Sequence, residues 1–431
     1  MPTVIEPTRQ TLVAKQYDVI VCGSGPAGIA AAISAARTGA RTLLLEVNGC
    51  LGGTWTAGLL CWIIDSKGKP GVMREITARL QSGSALRRRI ENGANFAFDP
   101  EFMKRLLEDM CTEAGVHIRL HTRVVAASRA DQRLRAVITE SKSGREAWEA
   151  HTFVDCTGDG DLGCHAGCAF DVGHPETGKC QPMSMACLVT GIHFAQVERF
   201  TGGSLGEPKQ RLLKEIRAAG VDPSYQPPVL MCVYDELFVM IPNHEYDAAA
   251  TDADDVTRAT ISARKEINAI VNALRKKGAP WENLRLVATA EHIGVREGRR
   301  IHGLHTVSLD EMVAGRRHED GICRVRFGID VHSTSRSRSK GFDKKNRVGT
   351  KAYDIPYRSL VAADIDGLLM AGRCISGDFL AHSSYRVTGN AVPMGETAGV
   401  AAALCSQRGC PPRNLPWSVL GPVLEAARGR S

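Results

Sequence analysis

The stretch Tyr17 to Glu46, YDVIVCGSGPAGIAAAISAARTGARTLLLE, limits what this chain can fold into more than any other. An apolar run, Val19 to Cys22, is short enough for a buried parallel strand. It breaks at Gly23-Ser24-Gly25-Pro26-Ala27-Gly28, and an alanine-rich helix follows as far as Gly39. In such a corner the first glycine permits the tight turn, the second lets backbone approach a pyrophosphate, and the third lets helix and strand pack closely. The helix start offers free N–H groups and a positive dipole end to phosphate. A second strand, Thr42 to Leu45, ends at Glu46, where an acid accepts a hydrogen bond from a ribose hydroxyl. A glycine turn alone also serves plain chain reversal. Strand, turn, helix, second strand and terminal acid in this order predict an adenine dinucleotide.

A chain of 431 residues buries a large core and predicts two connected domains, a nucleotide domain and one inserted into it. The net charge of +7 is too diffuse for a nucleic-acid partner but would attract an anionic small molecule. The first residues lack a basic region followed by an apolar core, and no run of about 18 apolar residues occurs, so no membrane span and a soluble, cytoplasmic protein are expected. The 14 cysteines include no CxxC pair and fall mostly in apolar segments, which reads as buried free thiols. Cys156, Cys164 and Cys168, with Cys180 and Cys187 beyond, lie closest together, but their spacing matches no cluster pattern and no metal is expected.

After Glu46, the loop Val47 to Thr56 carries Gly52-Gly53-Thr54, whose paired glycines bring backbone near a ligand. Pro70 to Ser82 reads as a helix with Val72, Ile76 and Leu80 on one face. Asp99-Pro100 starts another, with Phe102, Leu106 and Met110 inward. From Val116 to Asp155 the segments VHIRL, RVVAAS, LRAVIT, REAWEA and TFVDC predict a small antiparallel meander and a returning parallel strand that leads into Thr157-Gly158-Asp159. Pro208 to Ala219 and Asp252 to Lys277 are amphipathic helices, the second with Val256, Ala263, Ile267, Ile270 and Leu274 along one stripe, and Val229 to Ile241 reads as a strand pair. Leu284 to Thr289 reads as a strand before a charged, glycine-punctuated stretch. Arg336 to Arg347 reads as a solvated basic loop. A strand Gly367 to Ala371, the loop Gly372-Arg373 and a small-residue helix Ala391 to Cys405 return to the nucleotide pattern.

Seven segments in order, YDVIVCGSGPAG with Glu46, LGGTWTAG, FVDCTGDGDLG, REGRRIHG, YDIPYRSL, DGLLMAGRCIS and SYRVTGNAVPMGETAGVAAAL, resemble bacterial FAD-dependent oxidoreductases near the fumarate reductase flavoprotein branch. The resemblance covers Tyr17 to Leu60, Asp99 to Ala169 and Leu284 to Leu404. It implies an α/β fold: a Rossmann-like FAD-binding domain of the glutathione-reductase type, with a central parallel sheet and a small antiparallel meander, plus an inserted α+β substrate domain. The parts would be residues 15–165 and 285–415 for FAD and 166–284 for substrate. Carried over by position, Gly23, Gly25, Pro26, Ala27 and Gly28 would hold pyrophosphate and Glu46 the ribose. Gly52, Gly53 and Thr54 would lie near the flavin, and Val124 would touch adenine through its backbone. Thr157, Gly158 and Asp159 would close the phosphate side, Gly372 and Arg373 approach the ribityl chain, and Asn390 and Ala391 face the pyrimidine edge. Fumarate reductase flavoproteins carry a flavin-linked histidine before their double glycine. Here the region reads GCLGGTWTAG, so FAD is expected to be non-covalent.

With FAD carrying electrons, protein groups position a C–H bond, move a proton and stabilise charge on oxygen. His332 and His382 are the candidate proton carriers, Tyr385 a third, and Arg386, Arg299 and Arg300 candidates for clamping a carboxylate. For each histidine the plain alternative is a hydrogen-bonded structural ring, and for each arginine a structural ion pair. The expectation is two-electron dehydrogenation or reduction of a small organic substrate by hydride transfer, with oxygen, a quinone or another carrier exchanging electrons. A flavin-dependent monooxygenase is the alternative, and a non-catalytic flavin-binding protein ranks below both. The sequence leaves room for a homo-oligomer.

Overall fold

The computed structural model describes residues 4, 8–89, 95–202, 206–343 and 348–429. The end of the predicted basic loop, residues 344–347, lies outside these. Strand β1 (Val13–Cys22) runs into helix α1 (Pro26–Arg37) and strand β2 (Thr42–Leu45). The last four residues of β1 and the whole of β2 are buried, as expected of strands covered on both faces. Helices α2 (Val72–Ser82) and α3 (Pro100–Glu113) follow. Helix α2 starts two residues later than the sequence suggests, because Gly71 before it sits at φ 62°. Asp99 caps α3, its side chain accepting from the Glu101 and Phe102 amides.

Two corrections concern the next strands, β3 (His117–Arg119), β4 (Arg123–Ala130), β5 (Arg133–Ser141) and β6 (Gly144–Asp155). The segment VHIRL is not part of the meander: β3 pairs in parallel with β2, Leu44 opposite Ile118. REAWEA and TFVDC are one strand, β6, since nothing between Ala150 and Thr152 favours a turn. β6 runs parallel to β1 from Ala147 to Asp155, while its first half also pairs antiparallel with β5. Along its last residues β5 is replaced by β11, described below.

The inserted region holds β7 (Cys187–Thr190), helix α4 (Glu207–Ala218), β8 (Val229–Tyr234), β9 (Leu237–Ile241), helix α5 (Ala253–Lys277) and β10 (Arg285–Thr289). Its strands form an antiparallel sheet in the order β8-β9-β7-β10. The edge strand β10 therefore belongs to this sheet although it lies past residue 284. Ala263, Ile267, Ile270 and Leu274 of α5 are buried as the stripe predicted, whereas Val256 is half-buried.

The chain then forms the short helix α6 (Leu309–Ala314), strand β11 (Leu368–Met370), helix α7 (Phe379–Tyr385) and helix α8 (Thr388–Arg408). Helix α8 begins three residues before the predicted start, so Gly389 and Asn390 are helical. The central sheet has the order β3-β2-β1-β6, with β5 and β4 beyond the first half of β6 and β11 beside its end. Helix α8 packs on α1 through its glycines. A Cβ on Gly395 would stand 1.9 Å from the Ala27 carbonyl oxygen, and one on Gly399 would stand 2.1 Å from that of Ala31. Backbone therefore meets backbone, and a side chain must push the helices apart. Gly399→Val is expected to cost roughly 3 kcal/mol or more, read as a lowered thermal midpoint with the flavin still bound below it. All 14 cysteines are free, nine of them buried. Among the described residues no helix is long and apolar enough to cross a membrane.

Candidate functional site

The carboxyl ends of β1, β2, β6 and β11 open into a cleft of about 580 Å³, roofed by Val229 and Met231 of β8 and Ile241 of β9. This is where open α/β sheets bind ligands. The three corner glycines divide the work. Gly23 sits at φ 92°, and a Cβ there would strike the Cys156 carbonyl oxygen at 2.4 Å. A Cβ on Gly28 would lie 1.8 Å from the Gly23 carbonyl oxygen. These two are glycines because strand, turn and helix touch. A Cβ on Gly25 would meet nothing within 4 Å. Gly25, Pro26, Ala27, Gly53 and Thr54 face the cleft, and Pro26 at the first helical position leaves the Ala27 and Gly28 amides as the free donors of the first turn. Gly28 and Gly52 lie behind the lining.

Glu46 is buried, and four donors hold it. One carboxylate oxygen accepts from the Ser24 amide at 2.8 Å and the Ser24 hydroxyl at 2.6 Å; the other accepts from the Asn48 amide at 2.8 Å and its Nδ2 at 2.7 Å. Thr122, Arg123 and Val124 line the same end. Across the cleft, Thr157, Gly158, Gly372, Arg373 and Ala391 contribute. Asp155 carries the loop after β6, accepting from Thr157 and from the Gly163 amide. Burial raises its carboxyl to about 6 against those bonds. Asp159 stands just behind the lining, paired with Arg373 Nη2 at 2.9 Å, and Arg373 Nε is buried without a partner among the described residues.

Residues 18–424 match the family described as FAD dependent oxidoreductase. The chain belongs to that family. In this FAD-dependent oxidoreductase the residues fit the cofactor: a glycine corner open where a diphosphate would pass, an anchored acid at the end of β2, and an arginine with a spare donor. Two solved structures resemble it at the level of fold. One is a geranylgeranyl bacteriochlorophyll reductase-like protein from Thermoplasma acidophilum, at TM-score 0.50 and 10% identity, covering 96% of this chain and 84% of that one. The other is p-nitrophenol 4-monooxygenase from Pseudomonas putida, at TM-score 0.50 and 11% identity, with the same coverage. A curated relative from Geobacter sulfurreducens, a tRNA uridine 5-carboxymethylaminomethyl modification enzyme, is 65% identical over 34 residues, 8% of this chain and 5% of its own length.

The far end of the FAD-dependent oxidoreductase cleft is built by residues well separated in the chain. Arg386 gives Nη1 to the Arg296 carbonyl at 2.8 Å and Nη2 to the Asp330 carbonyl at 2.9 Å. Arg296 Nη1 donates to the Pro182 carbonyl at 2.6 Å and the Ser184 hydroxyl at 2.8 Å. Both guanidiniums are thus held largely by neutral acceptors. His332 Nε2 faces Asp330 Oδ2 at 3.5 Å, while its Nδ1 is buried with no partner among the described residues. The ring sits among His244, Phe342 and Tyr225. Burial and Arg296 push the imidazole far below its usual value. The Asp330 carboxyl, which burial alone would raise, is held low by His332 and the two arginines. His332 is therefore neutral and Asp330 ionised near neutral pH. Lys209, in the first turn of α4, also lines the cleft; it is 5% exposed and its ammonium makes no hydrogen bond or ion pair with any described residue. Burial lowers its ammonium to about 8, against the pull of Asp330.

Of the catalytic candidates singled out by sequence, His332 and Arg386 meet here, and the other four, His382, Tyr385, Arg299 and Arg300, do not line the cleft. His382 is fully buried away from it. Tyr385 donates its hydroxyl to the Ile375 carbonyl at 3.0 Å. Arg299 braces the loop after β6, pairing with Asp161 at 2.9 Å and bonding the Asp159 carbonyl. Arg300 pairs with buried Glu297 at 2.7 Å. Asn390 is buried beneath Ala391, its Oδ1 3.7 Å from Cys323 Sγ. Sequence reasoning missed Lys209, Tyr225, His292, Arg296 and Asp330. Lys209 did leave a signal: a cation in the first turn of a helix opposes the helix dipole and calls for a reason.

Proposed function

We propose that the protein is a dehydrogenase holding FAD non-covalently and acting on a small anionic substrate. The observation that carries this is the Asp330–His332 pair with a free Nδ1, lining one end of the cleft with three cations, Lys209, Arg296 and Arg386, of which Arg386 stands 4.0 Å from the Asp330 carboxylate. Bound FAD supplies a two-electron acceptor. The Ala27 and Gly28 amides at the Gly25 corner would hold its diphosphate, Glu46 its ribose, the Val124 backbone its adenine, and Gly372-Arg373 with Asp159 its middle. Lys209 would anchor the substrate anion, with Arg296 and Arg386 adding positive potential, and the apolar roof would exclude water. Asp330 orients His332 so that Nε2–H donates to the carboxylate and Nδ1 stands ready to take a proton. Burial and the Arg296 field keep the imidazole neutral, and a bound anion would oppose the Arg296 part, so His332 gains basicity when substrate is present.

The test is anaerobic reduction of the yellow holoprotein by a panel of carboxylic acids with oxidisable C–H bonds, in wild type and His332→Gln. His332→Gln is expected to keep its flavin and lose about a hundredfold or more in the reduction rate, within the range of general-base catalysis. An unchanged rate in the variant would remove His332 from the chemistry. Fast reduction by NADPH without any acid would favour the monooxygenase reading instead.

A further inference from the structure

Away from the cleft, three residues with metal-binding side chains converge within one short segment. Ser308 caps α6 and Glu311 stands at its third position, the two forming a reciprocal capping box. His305 precedes the helix and His318 follows it. Nε2 of His305 lies 3.0 Å and Nε2 of His318 3.1 Å from the same oxygen, Glu311 Oε1, and one donor atom from each residue falls within 4.8 Å of the others. None of the three lines the flavin cleft.

A hydrogen-bonded trio explains His305 but not His318. The His318 side chain is 10% exposed, and its Nε2 is buried with no hydrogen-bond partner among the described residues, because it meets the Glu311 oxygen off the donor direction. Two imidazole nitrogens and a carboxylate oxygen are a ligand set that zinc uses, with metal–ligand bonds of about 2.0–2.2 Å. Bonds of that length at tetrahedral angles set neighbouring ligand atoms roughly 3.3 Å apart, close to the two nitrogen–oxygen spacings here. The His305 side chain is 22% exposed, so the cluster can be reached from solvent.

We propose that His305, Glu311 and His318 bind one zinc ion. The ion ties the loop on either side of α6 to the helix itself. That segment is already joined to the wall of the cleft: the Leu309 amide donates to Asp378 Oδ2 at 2.7 Å, and Asp378 caps α7, whose C-terminal cap is Arg386. The site is a staple behind the substrate end of the cleft.

Purified holoprotein, stripped with a chelator and checked for retained flavin, is titrated with ZnCl2 against a chromophoric chelator, and separately with CoCl2. About one ion per chain is expected, with visible cobalt bands of a four-coordinate site. His318→Gln and His305→Ala are each expected to weaken zinc by at least about tenfold, since even outer partners of metal ligands cost that much. Flavin content reports whether each variant is folded. Failure of the wild type to take up a stoichiometric ion, or equal affinity in the flavin-loaded variants, would overturn the proposal, and neither outcome bears on the dehydrogenase reading.

Discussion

Replacing Gly25 by valine is expected to give a folded protein that purifies without colour. Gly25 lies at φ −62° and ψ −177°, extended backbone that any residue adopts, and a Cβ there meets nothing within 4 Å. The apoprotein fold thus has room for the side chain, but that room is the one proposed above for the diphosphate. A loss of roughly a hundredfold in FAD affinity, equivalent to about 3 kcal/mol, is expected, measured by titrating apoprotein with FAD and by the ratio of visible to ultraviolet absorbance. Gly28→Ala is the contrasting variant. Its Cβ would press on the Gly23 carbonyl at 1.8 Å, so it should lower thermal stability before it touches flavin affinity. A Gly25→Val protein with normal colour would mean that the corner does not hold the cofactor.

The contrast between these glycines shows how far the sequence could be read. Strand, corner, helix and Glu46 were legible because their signals lie within thirty residues and each follows from local physics: an apolar run, turn glycines, small residues where helices touch. Spacing alone does not reveal that Gly25 is open while Gly23 and Gly28 are closed, since that depends on where β6 brings Cys156. The partner change along β6 was invisible for the same reason, being set by β5 and β11 from opposite ends of the domain. His382 and Tyr385 drew attention by standing beside Arg386. Yet α7 ends at Tyr385, and only Arg386, at its C-terminal cap, reaches the cleft. Lys209 and Asp330 are brought together only by the folding of the inserted region over the sheet.

Lys209→Met should separate the substrate role of that cation from its cost to the fold. The Lys209 ammonium is lowered from 10.5 to about 8, so between these values the unfolded chain binds more protons than the folded one and stability rises with pH. Below about pH 8 the buried charge therefore costs its full penalty, roughly 3 kcal/mol for a shift of this size. Methionine carries no charge and fills similar volume, so the variant is expected to melt higher than wild type at pH 7. The gap should narrow as pH climbs from 8 towards 10.5. Turnover should move the other way. The efficiency kcat/KM for an anionic substrate should fall about a hundredfold, in line with loss of a buried charge-assisted contact. In wild type, substrate binding should weaken as pH rises through about 8 and the ammonium loses its proton. Thermal melts at pH 7 and 9.5, with a pH profile of kcat/KM, check both arms. A variant that melts lower at pH 7 and keeps its efficiency would show that Lys209 supports the fold and takes no part in holding substrate.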